Sequence, residues 1–497
     1  MPFDNAVGII IETLLNEIAR DETATASQSQ AEEANNVIDT TFYISKVNNQ
    51  IRDSANGEFE PCAVAIGPYH ENWDSTAAVE VKKQMLRRAL RQAGSSDHDQ
   101  RAELSRYVNE INGLVERVKQ CYSWTPENDE RMATMLLLDG LFIVSWFVLG
   151  TGPSGRTSES QWWLDDATVV RDVLYILENQ VPFFVVETIH ELVERGESRE
   201  DLLHSLTRYV RNLVKGLGYA TGIDLAGEER PCHLLNLLHR QFRPVTLDQR
   251  QRDGDGDGLL RQIGGNAADP CRRLLQLVGN TCFSWITTRL RLATSPGDEP
   301  EIVLVPRWRT AVYYREHGVR LRARDVGGRD GARSILDVEL RGDKLLIPCL
   351  TIDKETWIIL RNLMALEQSN PKLGSYVTTY CLLMSQLASR EKDVELLSDK
   401  GIIFHFLKSD GDVAACFGNL CNGIVLEIND PTNLNYLSPT WVALEGICRS
   451  GRRRSMAWMR QSQCNNYAMT VALAAAVILF VCTVLQTVFA ALGYKKQ

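Results

Sequence analysis

The apolar stretch near the end of the chain constrains the fold more than any other feature. Residues 468–492 contain no charged side chain, and Gln486 is the one strongly polar residue among them. About 25 residues at roughly 1.5 Å each form a helix of about 37 Å, longer than a hydrocarbon core of roughly 30 Å. We therefore predict a transmembrane helix over residues 467–493, followed by a short tail at 494–497. A buried core helix is the alternative.

Basic residues flank this stretch unequally. The arginines before it are Arg449, Arg452, Arg453, Arg454 and Arg460. Only Lys495 and Lys496 follow it. Since an excess of cations marks the cytoplasmic flank, we expect membrane lipid to hold residues 468–492 and the bulk of the chain to lie in the cytoplasm, with the plasma membrane as the expected compartment. The juxtamembrane segment 449–466 could contact anionic headgroups or act only as a stop signal.

The first 36 residues are predicted to form an amphipathic helix and a polar linker. Apolar side chains recur at spacings of three and four between Val7 and Ile18, and residues 23–36 are almost entirely polar or small. Packing of this helix on the protein's own core is the simplest interpretation. Binding to a partner or a membrane surface is the alternative, but the polar face of the helix is acidic rather than basic.

Residues 37–448 are predicted to form a globular domain, with a division into two lobes near residues 250–300 as the alternative. Hydrophobic residues make up 44% of the chain and charged residues 24%, which is typical of a folded protein. The net charge of −9 argues against a general nucleic-acid-binding protein, which usually presents a basic face. We therefore expect no nucleic-acid partner.

The apolar periodicity predicts a mainly α-helical fold with a small β hairpin or sheet element and one C-terminal transmembrane helix. Helices are expected at 104–122, 132–148, 169–192, 202–217, 357–366, 377–387 and 413–421. Strands are expected at 302–305, 335–340 and 344–347. Gly342 and Asp343 form a plausible hairpin turn between the last two strands.

A run of acidic residues is the sequence's weak metal candidate. Asp253, Asp255 and Asp257 match the opening of a calcium-binding loop. However, Gly264 stands at the twelfth position of that loop, where calcium requires a bidentate carboxylate. We therefore prefer a flexible acidic loop and predict no bound metal.

Three other fragments imitate catalytic signatures, but each lacks a required part. Residues 150–157 (GTGPSGRT) have the spacing of a phosphate-binding loop, with Arg156 at the lysine position. Residues 448–455 (CRSGRRRS) have the spacing of a cysteine phosphatase without a preceding strand. His70 and Asp74 have the spacing found in certain acyltransferases, without any supporting motif. We predict no catalytic residue and no cofactor.

Several sequence blocks nevertheless occur in a familiar order. They include AVAIGPYHE from Ala63, MLLLDGLFIV from Met135, YILENQVPFFVVE from Tyr175, CHLLNLLHRQF from Cys232, RNLMALEQ from Arg361 and VTTYCLLMSQ from Val377. By these blocks the chain resembles the plant DUF247 family, also called UPF0481, from about residue 40 to the C-terminus.

The resemblance implies a set of signature residues that are expected to be structural. They are Gly67, Pro68, His70, Asp139, Gly140, Glu178, Asn179, Gln180, Pro182 and Phe183. Gly67 and Pro68 suit a fixed turn, and Pro182 should stop or kink a helix after Asn179. Asp139 and Gly140 suggest a buried polar contact beside close helix packing, and Phe183 suggests a core anchor.

The resemblance also implies a plant membrane protein without an established catalytic activity. Some grass members of the family resemble pollen-side determinants at self-incompatibility loci. We therefore expect a non-enzymatic recognition or signalling protein with an unidentified protein partner. An enzyme with an undescribed active site and a membrane scaffold protein are the alternatives.

Overall fold

Helices form most of the structure, which is a computed structural model of the chain. It describes residues 44–53, 57–70, 76–93, 96–126, 128–150, 164–194, 199–222, 229–245, 308–328, 332–424, 436–449, 475–476 and 478–487. The predicted helix within residues 1–36, the strand at 302–305 and the acidic run at 253–257 lie outside the described residues. So do Arg460 and the arginines at 452–454.

The first part of the chain contains nine described helices. They are α1 (Asn49–Arg52), α2 (Thr76–Ala93), α3 (Asp97–Asn112), α4 (Val115–Lys119), α5 (Asp129–Ile143), α6 (Asp166–Val170), α7 (Phe183–Val193), α8 (Arg199–Gly216) and α9 (Leu234–Arg240). Helices α5 and α6 continue into the π-helical turns Val144–Val148 and Arg171–Tyr175. The predicted helices at 132–148 and 202–217 are confirmed, and α3 and α4 divide the one predicted at 104–122.

Polar side chains at helix starts explain several of these boundaries. Ser96 caps α3 by accepting a hydrogen bond of 3.0 Å from the Asp99 N–H. Asn128 caps α5 in the same way, with the Arg131 N–H as donor at 2.9 Å. Because the first N–H groups of a helix have no partner within it, each such cap contributes about 1 kcal/mol.

The second part mixes helices with short strands. The described elements are α10 (Ala311–Glu316), β1 (Arg320–Arg324), β2 (Glu339–Arg341), β3 (Lys344–Pro348), β4 (Leu350–Ile352), α11 (Lys354–Ser369), α12 (Tyr376–Leu387), α13 (Glu391–Asp399), β5 (Ile403–His405), α14 (Asp410–Leu420) and α15 (Ser438–Arg449). The helices predicted at 357–366, 377–387 and 413–421 are confirmed as α11, α12 and α14.

The strands form two small sheets. The first has the order β1-β3-β2, in which β3 is antiparallel to β2 and parallel to β1. The second pairs β4 and β5 in parallel. The hairpin turn predicted at Gly342-Asp343 is confirmed, with Gly342 at a φ of 66° that favours glycine. The strand predicted at 335–340 is wrong for residues 335–338, because β2 begins only at Glu339. The parallel partner β1 was not predicted, because its RLRAR sequence carries too few apolar residues to indicate a strand.

The helix predicted at 169–192 is wrong as one continuous element. Its first part ends at Tyr175, Ile176 is extended, and α7 begins only at Phe183. Pro182 precedes α7 with a φ of −56° and a ψ of 136°, so it interrupts the helix as the resemblance implies. The chain leaves the helix earlier than expected, four residues before Asn179. The non-helical residues between the two helices carry the signature side chains.

Residues on either side of the segment Val245–Arg307 belong to one compact unit. Asn362 of α11 illustrates how the two parts of this unit are joined. Its side chain accepts the Leu177 N–H at 2.9 Å and donates to the Glu58 carbonyl at 2.9 Å. Asn362 is fully buried, so these bonds fix one interior arrangement of three distant segments.

Two apolar helices differ in their surroundings. Residues Asp129–Val148 are the one described helix long and apolar enough to cross a membrane, and 72% of their most apolar window is buried in the protein. Such burial is typical of a core helix. The C-terminal helix α16 (Ile478–Thr487) is shorter, and its described side chains are exposed. The membrane span predicted over 467–493 therefore stays a prediction.

Candidate functional site

Residues 62–67 form a non-helical segment that belongs to no described strand and is buried from Val64 onward. Its backbone donates instead to side chains, most of all to the buried carboxylate of Asp172. Asp172 accepts hydrogen bonds from the N–H groups of Cys62 at 2.9 Å, Ala63 at 2.6 Å and Val64 at 3.0 Å. Since an unpaired buried N–H costs about 1–3 kcal/mol, one carboxylate here replaces a neighbouring strand.

The amides of Asn179 and Gln180 continue this arrangement. Asn179 accepts the Ile66 N–H at 2.6 Å and donates to the Val64 carbonyl at 2.9 Å. The Gln180 amide donates to the carbonyls of Val173 and Ile176, at 2.9 Å each. Its oxygen accepts the Leu235 N–H at 3.0 Å. Both side chains are therefore occupied by backbone groups, which supports the structural interpretation of these signature residues.

Asp139 and Gly140 lie where α5 meets its neighbours. The carboxylate of Asp139 forms an ion pair of 2.7 Å with Lys82 of α2 and accepts the Gly67 N–H at 2.8 Å. The side chains of Asp139 and Lys82 are only 2% and 4% exposed. A Cβ at Gly140 would lie 2.1 Å from Cδ1 of Ile189, which explains the need for glycine. The structure thus contains both the buried polar contact and the close packing expected at these residues.

Glu178 is the centre of a partly buried charged cluster. Its carboxylate accepts the Val47 N–H at 2.6 Å and pairs with the guanidinium of Arg52. His70 Nε2 lies 3.7 Å from the other carboxylate oxygen, beyond hydrogen-bonding distance. Burial lowers the pKa of His70 below its ordinary value, although the carboxylate of Glu178 opposes this shift. Asp74, with which His70 has acyltransferase spacing, lies outside the described residues.

The turn and the core anchor implied by the resemblance are also present. Gly67 has a φ of 75°, and a Cβ there would lie 2.4 Å from the carbonyl oxygen of Gln180. Pro68 then begins a short 3₁₀ turn, Pro68–His70. Phe183 is 2% exposed, and its N–H donates to the Cys232 carbonyl at 2.7 Å. These residues shape the backbone around the cluster.

A second buried network joins α9, α11 and α12, and the sequence did not identify it. His239 Nε2 lies 2.8 Å from the Glu367 carboxylate, and Tyr376 Oη lies 2.8 Å from His239 Nδ1. Glu367 also accepts the N–H and the hydroxyl of Thr378, at 2.8 and 2.7 Å. The order tyrosine, histidine, carboxylate resembles a catalytic triad, but all three side chains are at most 5% exposed. A reacting group must reach its substrate, so this geometry suits helix packing.

The geometry of the described residues favours no particular chemistry. Among them, no group of three or more His, Cys, Asp or Glu side chains is placed to hold a metal ion. A surface depression of about 200 Å³ is lined in part by Arg88, Ser145 and Glu194, and none of the signature residues borders it. Of the predicted basic cluster, only Arg449 is described, and it lies exposed at the end of α15.

Comparison with known proteins identifies the family. Residues 44–482 match the sequence model of DUF247, described as a plant protein of unknown function. UPF0481 protein At3g47200 of Arabidopsis thaliana is 24% identical over 446 residues, which cover 88% of this chain and 84% of that protein. Putative UPF0481 protein At3g02645 of the same plant is 22% identical over 454 residues, which cover 82% of each. No solved structure matches the chain. The chain therefore belongs to the DUF247 family of plant proteins.

Proposed function

We propose that this DUF247 protein is a non-enzymatic recognition or signalling protein held at a membrane by residues 468–492. The exposure of α16 carries the proposal. Its side chains Ile478, Leu479 and Phe480 are 63%, 68% and 70% exposed. Exposed apolar surface costs about 25 cal/mol per Å², and the sequence on both sides of α16 is equally free of charge. Lipid would remove this cost.

The buried carboxylates support a non-enzymatic role. Asp139, Asp172 and Glu178 are the first candidates for a catalytic acid or base. Each of them accepts backbone N–H groups and pairs with Lys82, Arg171 or Arg52. A carboxylate that holds the fold in this way is poorly suited to moving a proton to and from a substrate.

Membrane anchoring is tested by comparing the full chain with a variant that ends at Arg449. Both are expressed in plant cells, and the membrane fraction is washed with alkaline carbonate. We expect the full chain to stay with the membrane and the shortened chain to be released. A variant that lacks residues 1–36 is the control, because removal of the N-terminal segment should leave the anchor intact. Retention of the shortened chain would contradict the proposal.

The cytoplasmic placement has its own test. The arginines at 449–460 favour this side of the membrane for the preceding domain. An Asn-X-Ser/Thr site introduced within residues 250–270 should stay unglycosylated, whereas the same site added after Lys496 should report the opposite side. Glycosylation of the first site would place the domain outside the cytoplasm.

Recognition is the finer part of the proposal, and pollen-side self-incompatibility is the form that we propose for it. The loops predicted from the sequence at 150–160 and 250–270 would be exchanged between allelic variants, followed by proximity labelling in the native tissue. We expect the set of labelled partners to follow the exchanged segments. A membrane scaffold would keep its partners, and an enzyme would show turnover of a substrate by the purified chain.

A further inference from the structure

The three-stranded sheet exposes a row of cations on one face. Arg320 of β1 and Arg341 of β2 both lie directly opposite Lys344 of the central strand β3. Residues directly opposite each other in a sheet share a face, and so do alternate residues of one strand. Arg322 therefore joins the row from β1. All four side chains belong to exposed residues.

Folding alone does not favour this row. Like charges directly opposite each other destabilise a sheet. Asp343 accepts hydrogen bonds from Arg320, one of them 2.8 Å long, and Glu339 accepts from Arg341 at 2.7 and 2.9 Å. The strands and their turn still carry more exposed cations than carboxylates. This basic face stands out in a chain whose net charge is −9.

The sheet that carries the basic face contacts the last described helix before the proposed membrane anchor. Strand β2 packs against α15, the last described helix before residue 475. Next to α15, the Tyr436 hydroxyl donates to the Leu336 carbonyl at 2.7 Å, in the loop that leads into β2. Within α15, Glu445 pairs with Arg309 at 3.3 Å. The sheet is thus attached to the part of the fold that leads to residues 468–492.

Exposed aromatic residues adjoin the same sheet. A Cβ at Gly401 would lie 3.8 Å from Cβ of Ala323, so the turn before β5 touches the end of β1. Phe404 of β5 and Phe406 just after it are 58% and 82% exposed. Ala323 alternates with Arg322 along β1, so this turn contacts the face of the sheet opposite the cations. Exposed aromatic rings are typical of surfaces that rest in the interface of a bilayer.

From these observations we infer that the exposed face of the β1-β3-β2 sheet docks on the anionic phospholipid headgroups of the membrane that holds the chain. The inference rests on the proposed membrane anchoring. A lipid surface is favoured over an acidic protein because the sheet is attached to α15, the helix that precedes residues 468–492. Each cation near an anionic bilayer strengthens its binding about fivefold, and this attraction is screened by salt.

The test places a photoactivatable benzophenone side chain at position 346 or at position 485 of the full chain. Leu346 lies between Arg322 and Glu339 on the basic face, and Leu485 is an exposed residue of α16. The protein is reconstituted in nanodiscs of phosphatidylcholine alone or of phosphatidylcholine with phosphatidylserine. We expect lipid adducts at position 485 in both discs. At position 346 we expect adducts mainly with phosphatidylserine present, and fewer of them at high salt.

Charge reversal distinguishes docking through the basic face from non-specific attraction between the chain and the bilayer. Arg322→Glu with Lys344→Glu should lower the adduct yield at position 346 by about fivefold for each cation removed. Arg88→Glu with Arg91→Glu changes the net charge equally at exposed residues of α2, and should leave the yield unchanged. Thermal unfolding of each variant excludes loss of the fold.

The outcomes distinguish the two proposals. Adducts at position 485 without adducts at position 346 would overturn sheet docking and leave the anchor standing. Equal adducts at position 346 in both discs would overturn the role of anionic headgroups. An absence of adducts at position 485 would overturn membrane anchoring and the sheet docking that depends on it.

Discussion

Helix α5 with its π-helical turn and helix α16 are both rich in apolar residues, yet only the first is covered by protein. Leu136, Leu141 and Phe142 are fully buried, whereas Leu479 and Phe480 are at least two-thirds exposed. The covered helix also contains a buried ionic residue, Asp139, that has a cation within 2.7 Å. Helix α16 has no charged residue at all. The apolar run that contains a paired charge is thus part of the protein core, whereas a lipid environment for the charge-free run stays a prediction.

The largest effect should come from breaking the ion pair of the covered helix. Asp139→Ala leaves the Lys82 ammonium buried without its carboxylate and removes the acceptor of the Gly67 N–H. We expect a loss of about 3–5 kcal/mol in the free energy of unfolding, measured by denaturant titration. Asp129→Ala, at the exposed start of the same helix, is the control and should cost less than about 1 kcal/mol. Equal losses would show that the pair is not buried.

A charge placed in α16 should have the opposite consequence. Leu485→Arg should weaken membrane insertion by about 3 kcal/mol, because a cation near the centre of a bilayer is costly. The unfolding midpoint of the domain should not move, because Leu485 is half exposed. Carbonate extraction and thermal unfolding measure the two effects, with Leu485→Ala as the control. A lowered midpoint would mean that α16 packs on the domain.

A third change tests how closely the covered helix is packed. Gly140→Val would place methyl groups against Ile189, whose Cδ1 lies 2.1 Å from the position of a Cβ. We expect a loss of about 1–3 kcal/mol from overpacking. Ile189→Ala in the same chain should recover part of that loss, so the double variant should cost less than the sum of the two single ones. If the losses of the two single variants add up to that of the double variant, the overpacking does not involve Ile189.

The last prediction concerns pH. Burial lowers the pKa of His233 to about 3, and its Nδ1 accepts the Asn236 N–H at the start of α9. The unfolded chain binds this proton near pH 6.5, whereas the folded chain does not. Stability is therefore full above pH 6.5 and falls towards pH 3, by at most about 1.4 kcal/mol per pH unit.

His233→Asn keeps a capping oxygen and removes the titration. The free energy of unfolding between pH 7 and pH 5 should then depend less on pH than in the unchanged chain, while membrane association of both should not change. An identical pH dependence of unfolding would show that His233 does not contribute.

Local patterns predicted much of the fold, whereas distant contacts were beyond them. Apolar periodicity located α5, α8, α11 and α12, and a proline in an apolar run indicated the break before α7. The sequence indicated a buried polar contact at Asp139, because a charge in an apolar run needs a partner. Lys82 gave no such signal, because it stands among other charged or polar residues as a surface residue would. Asp172 did carry it, because Arg171 is its only charged neighbour in an apolar run, but it was not singled out. His239 and Glu367 are 128 residues apart, and only the tertiary fold brings them together.

The bond from Asn362 to the Glu58 carbonyl spans 304 residues of sequence, and this separation matters during synthesis. A ribosome adds about 5–20 residues per second, so about 15 to 60 seconds pass between the emergence of the two partners. During that interval the early segment around Glu58 lacks one of the contacts that close the interior. Nascent chains of this protein are therefore expected to need chaperones, and release before residue 362 should yield a product that is degraded.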